Sequence, residues 1–254
     1  MRLFGLGRLR ETAPAEASVP DGMRIYAVGD VHGRFDLLTA LLDSIARDDE
    51  ARGPTETHVI LLGDLIDRGP DSARIIDFLL GDVPAFARFH YLMGNHEEML
   101  LRLIDRPDSD LMENFLRYGG RETFESYGVP QGMLDLAGRH PMADITAHVP
   151  DAHRAFLRGM GDAIQVGDYL FVHAGVRPGV PLEDQAPEDV RWIRQPFLDS
   201  DADHGAVVVH GHTITPAADM RRNRIGIDTG AYASDVLTAL GLEGADRWLL
   251  DTAG

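Results

Sequence analysis

Five short segments rich in Asp, His and Asn recur along this chain, each punctuated by Gly. They are Gly29-Asp30-Val31-His32-Gly33, Gly63-Asp64-Leu65-Ile66-Asp67-Arg68-Gly69, Gly94-Asn95-His96-Glu97, His173-Ala174-Gly175 and His210-Gly211-His212-Thr213. Four of them directly follow a short apolar run, and His173 begins inside one. A short apolar run closed by a turn residue reads as a buried strand. The pattern therefore puts metal-type ligands at the ends of buried strands. One such cluster arises easily by chance, whereas five in one chain constrain the fold.

The runs between the clusters give the architecture. Arg24 to Val28 reads as a strand, and Phe35 to Ala46 carries Leu37, Leu38, Leu41, Leu42 and Ile45 at helical spacing. His58 to Leu62 is a second buried strand, Asp71 to Leu80 a helix, and Phe89 to Met93 a third strand. Strand, loop and helix in repetition argue for parallel strands joined by crossover helices. In such sheets ligands collect at the carboxyl ends of the strands. The stretch 97–156 is apolar mostly at helical spacing and is broken at Pro107, Gly119-Gly120, Pro130 and Pro141. It reads as a helical insert beside the site, serving either as a cap or as plain helical packing. Strand patterning resumes at 162–166 and 169–172 around a Gly167-Asp168 hairpin signal. It continues at 206–209, 224–227, 236–240 and 247–250. This half is expected to be largely antiparallel or mixed.

Composition excludes several function classes. The 254 residues contain no cysteine, so disulfides, zinc-thiolate sites and thiol nucleophiles are absent. The formal net charge of -17 argues against nucleic-acid binding, since no basic surplus neutralises phosphates. A phosphate-bearing substrate remains compatible if bound divalent metals supply local positive charge. No apolar run reaches the roughly 18 residues of a membrane span, and a cytoplasmic location is expected. Residues 1–21 read as a disordered leader and 22–254 as one domain, with the insert at about 97–156.

An Asp-X-His pair after a strand can put a carboxylate and an imidazole on one ion. Asp30 and His32 fit that, or else a helix-capping Asp and a surface His. Such mixed ligands suit Mn, Fe or Zn better than Ca. Asp64 ends a strongly apolar strand, where an unpaired carboxylate costs several kcal/mol and so needs a cation or hydrogen bonds. Arg68 can grip a phosphoryl group bidentately or pair with Asp67 or Asp71. Asn95 can bind a metal through oxygen while its amide faces a substrate oxygen, or can simply be a turn residue. If Asp67 reaches His96, the pair makes a general acid; otherwise His96 is a ligand or a core histidine. His173 and His212 each end an apolar strand.

The five motifs in this order resemble those of the calcineurin-like metallophosphoesterases, closest to the bacterial branch of the phosphoprotein phosphatase family. The match spans about residues 24 to 232. The resemblance implies an α/β fold of two mixed β-sheets packed as a sandwich with flanking helices. It implies two divalent metal ions, expected to be Mn with Fe or Zn as candidates. Asp30 and His32 would hold the first, Asp64 would bridge both, and Asn95, His173 and His212 would hold the second. His96 would be the general acid, oriented by Asp67. Arg68 and Asn95 would bind phosphoryl oxygens. Val190 to Arg194 resembles a Trp-containing family segment that supplies a second arginine; Arg194 is chosen, with Arg191 and Arg177 as rivals. The segment Ile227 to Tyr232 also resembles one near the family's site.

The expected enzyme is a metal-dependent phosphomonoesterase, a protein serine/threonine phosphatase with phosphotyrosine as a further substrate, acting through a metal-bridging hydroxide. Related bacterial dinucleoside tetraphosphatases usually carry Asn where this chain has Asp67, and they differ in the first motif. Both points favour a phosphoprotein or phosphopeptide substrate. The alternative is a hydrolase of Ap4A-type dinucleoside polyphosphates. A phosphodiesterase and a non-catalytic metal-binding scaffold rank below both.

Overall fold

A computed structural model describes residues 16–136 and 142–253. Its first strand, β1 (Met23–Val28), is followed by α1 (Phe35–Arg52), β2 (Glu56–Leu61), α2 (Ser72–Gly81) and β3 (Arg88–Tyr91). β1 pairs with β2, and β2 with β3, in parallel register, as the strand-helix repetition predicts. Two C-terminal strands, β9 (Thr238–Glu243) and β10 (Asp246–Asp251), join antiparallel on the other side of β1. The first sheet therefore runs β10-β9-β1-β2-β3.

The second sheet is built from β4 (Ala163–Val166), β5 (Tyr169–Val172), β6 (Val207–His210), β7 (Asp219–Met220) and β8 (Arg224–Gly226), in the order β4-β5-β6-β8-β7. Its hairpin β4-β5 and its edge β7-β8 are antiparallel, but the central trio β5, β6 and β8 is parallel. Both sheets are thus mixed.

Period-two alternation along the strands explains the layering. Ile25, Ala27, Ile60 and Leu62 face the second sheet and meet Phe171, Val209, Ile225 and Ile227. Tyr26, Val28, Val59 and Leu61 face the other way, onto helices through Leu38, Leu41, Ile45, Ile75 and Ile76. Each such fully buried aliphatic side chain contributes about 1.5–3 kcal/mol. A third cluster, with Val172, Val190, Ile193 and Phe197, covers the outer face of the second sheet.

Between β3 and β4 the chain is helical: α3 (Asn95–Asp105), α4 (Ser109–Phe115), α5 (Arg121–Ser126), α6 (Gln131–Asp135), α7 (Met142–Thr146) and α8 (Asp151–Arg158). A π-type turn at Leu116–Gly120 joins α4 to α5. Met112, Phe115, Phe124, Leu134 and Leu157 from these helices share one core with α1 and α2. Two short helices complete the chain, α9 (Pro187–Trp192) and α10 (Ala231–Ser234).

Two boundaries differ most from the sequence reading. Helix α1 continues past Ala46 to Arg52, where the apolar periodicity has already ended. Its last turns are held by polar partners instead: Arg24 ion-pairs with Asp49 at 2.6 Å, and Asp48 accepts from Tyr26 and Trp248. The expected leader also ends earlier than residue 21. Residues 1–15 lie outside the described residues, but Val19 is buried and its N–H reaches Gly244 O at 2.9 Å. The N–H of Ser18 reaches Asp168 Oδ2, also at 2.9 Å. An apolar side chain with a ready slot between sheet edges anchors the segment.

Candidate active site

The five polar segments leave the carboxyl ends of β1, β2, β3, β5 and β6 and converge along one edge of the sandwich. Their backbone is unusual. Among the described residues, six non-glycine residues have positive φ, and five of them are His32, Asp64, Asp67, Arg68 and His212. Asp and His tolerate this left-handed region better than most residues, at a cost of order 1–3 kcal/mol each. The turns spend that energy to aim side chains inward.

Asp64 is the hub. It is buried, and its carboxylate lies 3.6 Å from His32 Nε2, 3.8 Å from His96 Nε2 and 3.4 Å from His173 Nε2. Two ligand groups share it: His32, Asp64 and His96 in one, and Asp64, His173 and His212 in the other, each with ligand atoms within 4.8 Å of one another. Burial pushes the Asp64 carboxyl up, but His173 and His96 outweigh it and hold it well below its usual range. Asn95 joins the second group, with its Oδ1 3.0 Å from His173 Nε2.

Asp30 sits beside these groups, and neither of them includes it. Its carboxylate accepts the His212 N–H at 3.0 Å. Burial, then Asp228 and Asp64, raise it well above the usual carboxylate range. Both carboxylates need glycine next to them. A Cβ at Gly94 would strike the Asp64 carboxylate, and one at Gly211 the Asp30 carboxylate.

The histidine tautomers point the same way. The ring Nδ1 of His32 lies 2.9 Å from Ile66 O, and that of His173 lies 2.9 Å from Leu62 O. A carbonyl can only accept, so each Nδ1 carries the proton and leaves Nε2 facing the site, the arrangement of metal-bound histidines. Burial holds His32 down to about 3 and His212 to about 2, so both rings are neutral. The Nε2 of His212 is buried with no hydrogen-bond partner. A buried lone pair without a donor, next to two repelling carboxylates, is what a divalent cation would satisfy. The oxygen and nitrogen donors fit a pair of Mn-, Fe- or Zn-type ions.

His96 is held differently. Its Nδ1 donates to Asp67 Oδ2 at 2.6 Å. Burial lowers its pKa, but Asp64 and the Asp67 hydrogen bond outweigh that and raise it to about 9. Arg68 Nη2 lies 3.2 Å from His96 Nε2, and its guanidinium rests over the Tyr232 ring at 4.6 Å. A guanidinium cannot accept a hydrogen bond. That contact therefore belongs to the neutral ring, and the Arg68 charge works against the rise in the His96 pKa.

Of the three candidate arginines after the fourth motif, Arg194 reaches the site, with Nη2 3.4 Å from His212 O. Arg191 is tied to Asp162 at 2.5 Å, and Arg177 pairs with Asp189 at 2.5 Å. Segment Ile227 to Tyr232 is also at the site: the Asp228 charge pushes the Asp30 carboxyl up, and the Tyr232 ring meets His32 edge-on at 5.5 Å.

Sequence reasoning left two supports unassigned. Glu97 stands in the third motif but carried no role. Its buried carboxylate accepts the N–H groups of Asp64, Leu65, Ile66 and Gly94 at 3.0, 2.7, 3.2 and 2.9 Å. Thr123 lies in the helical insert, 56 positions from the Asp67 that it touches, and nothing local marks it.

The family model for calcineurin-like phosphoesterases matches residues 23–243. A zinc-dependent endopolyphosphatase of Saccharomyces cerevisiae is 25% identical, over 84% of this chain and 74% of its own length. A symmetrical bis(5'-nucleosyl)-tetraphosphatase of Acidovorax sp. is 33% identical, over 64% of this chain and 47% of its own. The corresponding Nitrosospira multiformis protein is 25% identical, over 91% and 96%. The chain thus spans less than half of the Acidovorax relative. Among solved structures, a candidate diadenosine tetraphosphatase superposes with a TM-score of 0.61 at 18% identity, covering 94% of this chain and 96% of the other. A cold-active protein tyrosine phosphatase gives 0.59 at 18% identity, over 94% and 83%. At such identities the structural likeness concerns the fold.

Proposed function

Because the chain belongs to the calcineurin-like phosphoesterase family, we propose that it is a two-metal phosphohydrolase whose first substrate class is the dinucleoside polyphosphates. The observation that carries the chemistry is the sharing of Asp64 between two ligand groups. Asp30, His32, Asp64, Asn95, His173 and His212 would hold the ions, with Mn the first candidate. Bound there, two divalent cations would supply Lewis acidity and a nucleophile from water near neutral pH.

The chain's own residues would do the rest. Arg68 and the exposed Arg194 would neutralise charge on the non-bridging phosphoryl oxygens, and Asn95 would donate a hydrogen bond to one of them. His96 would deliver its Nε2 proton to the leaving oxygen, with Asp67 holding the ring from behind. The substrate class rests on the sequence relatives named for nucleotide and polyphosphate cleavage. The expectation of a phosphoprotein substrate finds no counterpart in those relatives.

A second reading is retained because one observation favours it. A phosphoanhydride releases a stable phosphate and needs little protonation, whereas a serine alkoxide needs a proton badly. The 2.6 Å Asp67-His96 bond would keep the imidazole protonated and aimed to donate. A phosphomonoesterase acting on phosphoserine or phosphothreonine is therefore the alternative.

Initial rates decide between them. The protein is stripped with chelator and reloaded with Mn, then assayed on Ap4A, a phosphoserine peptide and bis-p-nitrophenyl phosphate. The proposal expects kcat/KM on Ap4A to exceed that on the peptide by at least about tenfold, or about 1.4 kcal/mol. The reverse order would replace it with the second reading. Activity on none of the three, with metal bound, would sink both.

A further inference from the structure

The helical insert reaches into the catalytic constellation through one hydroxyl. Thr123, on α5, is wholly buried. Its Oγ1 donates to Asp67 Oδ1 at 2.5 Å and accepts the Asp67 N–H at 2.8 Å. Ser72, at the start of α2, lies 2.9 Å from the same oxygen and also accepts the Asp67 N–H, at 3.0 Å. The Thr123 proton is committed to the carboxylate, so Ser72 is the donor between the two hydroxyls. The other Asp67 oxygen takes His96 Nδ1–H. The carboxylate is thereby gripped on both oxygens, one by the insert and one by the imidazole. The neighbouring turn adds a second tie, because the Arg68 N–H donates to Gly119 O at 2.9 Å.

Asp67 needs that grip. Its φ is +73°, and Arg68 beside it is at +69°. Two successive left-handed residues leave the loop free to relax towards commoner backbone conformations unless something holds it. Burial also favours the protonated acid, while the Thr123 and His96 hydrogen bonds favour the carboxylate. We infer that Thr123 is a positioning residue for proton delivery, fixing through Asp67 the direction in which His96 presents Nε2. The insert would then be part of the catalytic apparatus as well as packing around it. This rests on the reading of His96 as the general acid.

The test uses leaving-group dependence, to which simple loss of packing is blind. Thr123→Val keeps shape and removes the hydroxyl; Thr123→Ser keeps the hydroxyl. Each is assayed beside His96→Asn, with Mn, on phenyl phosphate and on p-nitrophenyl phosphate. General acid catalysis is worth of order 100-fold or more, and a misdirected acid should forfeit part of it. Thr123→Val should lower kcat on phenyl phosphate about tenfold and on p-nitrophenyl phosphate less than twofold, with KM unchanged. Thr123→Ser should restore most of the loss. In the chelated protein, the downfield proton signal of the His96 Nδ1–H bond should weaken or shift in Thr123→Val and persist in Thr123→Ser.

Equal losses on both substrates in Thr123→Val, with the imidazole signal unmoved, would make Thr123 a packing residue and overturn the inference. So would a Thr123→Ser protein as impaired as Thr123→Val. If His96→Asn itself loses equally on both substrates, the reading of His96 falls first and the inference with it. Selectivity in His96→Asn without selectivity in Thr123→Val overturns the inference alone.

Discussion

The Glu97 carboxylate accepts the backbone N–H of Asp64 at 3.0 Å, and through its two oxygens it ties the turn after β2 to the turn after β3. Asp64 holds a left-handed φ of +48° there, and its carboxylate is the group common to both ligand clusters. A side chain that touches no substrate thus sets where the central ligand points. Glu97→Gln puts an amide NH2 against backbone donors. It should weaken Mn binding about 10–100-fold and cost about 1–3 kcal/mol of stability. Titration calorimetry and a denaturant melt of the same preparations read both effects; unchanged affinity would remove Glu97 from this role.

The Asp67-His96 bond gives a pH signature in the chelated protein. The folded-state pKa of His96 is raised to about 9, against an ordinary 6.5. A raised histidine pKa contributes stability that is fully present below about 6.5 and is lost as pH rises through about 9. An NMR titration of the His96 ring should therefore show a midpoint well above 6.5. Asp67→Asn should move it down by at least about one unit, since a hydrogen-bonded carboxylate is lost. A midpoint unmoved by Asp67→Asn would contradict the coupling.

Metal should stabilise the fold. Two buried carboxylates, Asp30 and Asp64, lie beside the neutral His32 and His212 rings. Mn at about 100 times its Kd should add about 2.7 kcal/mol per site, raising Tm in calorimetry. Gly211→Ala puts a methyl against the Asp30 carboxylate. The buried carboxylate must move to relieve that clash, so the metal-free Tm should fall and the Mn-dependent rise should shrink as well. A full rise in Gly211→Ala would remove Asp30 from the metal site.

The arginines should separate cleanly. Arg194 is exposed with one long contact to His212 O, while Arg191 and Arg177 are consumed by Asp162 and Asp189. Arg194→Ala should raise the inhibition constant for inorganic phosphate about tenfold, the loss of a charge-assisted contact worth about 1.5 kcal/mol. Arg191→Ala and Arg177→Ala should leave it within about twofold. A larger effect at Arg191 than at Arg194 would exchange their roles.

What was legible in the sequence had a local cause. Strands β1, β2 and β3 are short apolar runs closed by Gly, and each ends in its own ligand segment. That gave the parallel trio β1-β2-β3 and the candidates Asp30, His32, Asp64 and Asn95 at its strand ends. The parallel centre of the second sheet was not legible, since strand patterning does not encode the direction of a distant neighbour. The last turns of α1 were missed for a similar reason: Asp48 and Asp49 are held by Tyr26, Arg24 and Trp248 from β1 and β10.

The sequence by itself determined which oxygen and nitrogen donors end which strands, and their order carries the family resemblance. Those are properties of contiguous residues, fixed by spacing and by the need of a buried carboxylate for a partner. The tertiary structure decided the rest. It gathered His32, His173 and His212 around Asp64, and it tied Arg191 to Asp162 while Arg194 stayed exposed beside His212. It also brought Glu97 behind Asp64, and Thr123 behind Asp67. These are contacts between residues 33 and 56 positions apart. Their energies depend on which atoms the fold buries together, and no local pattern records that.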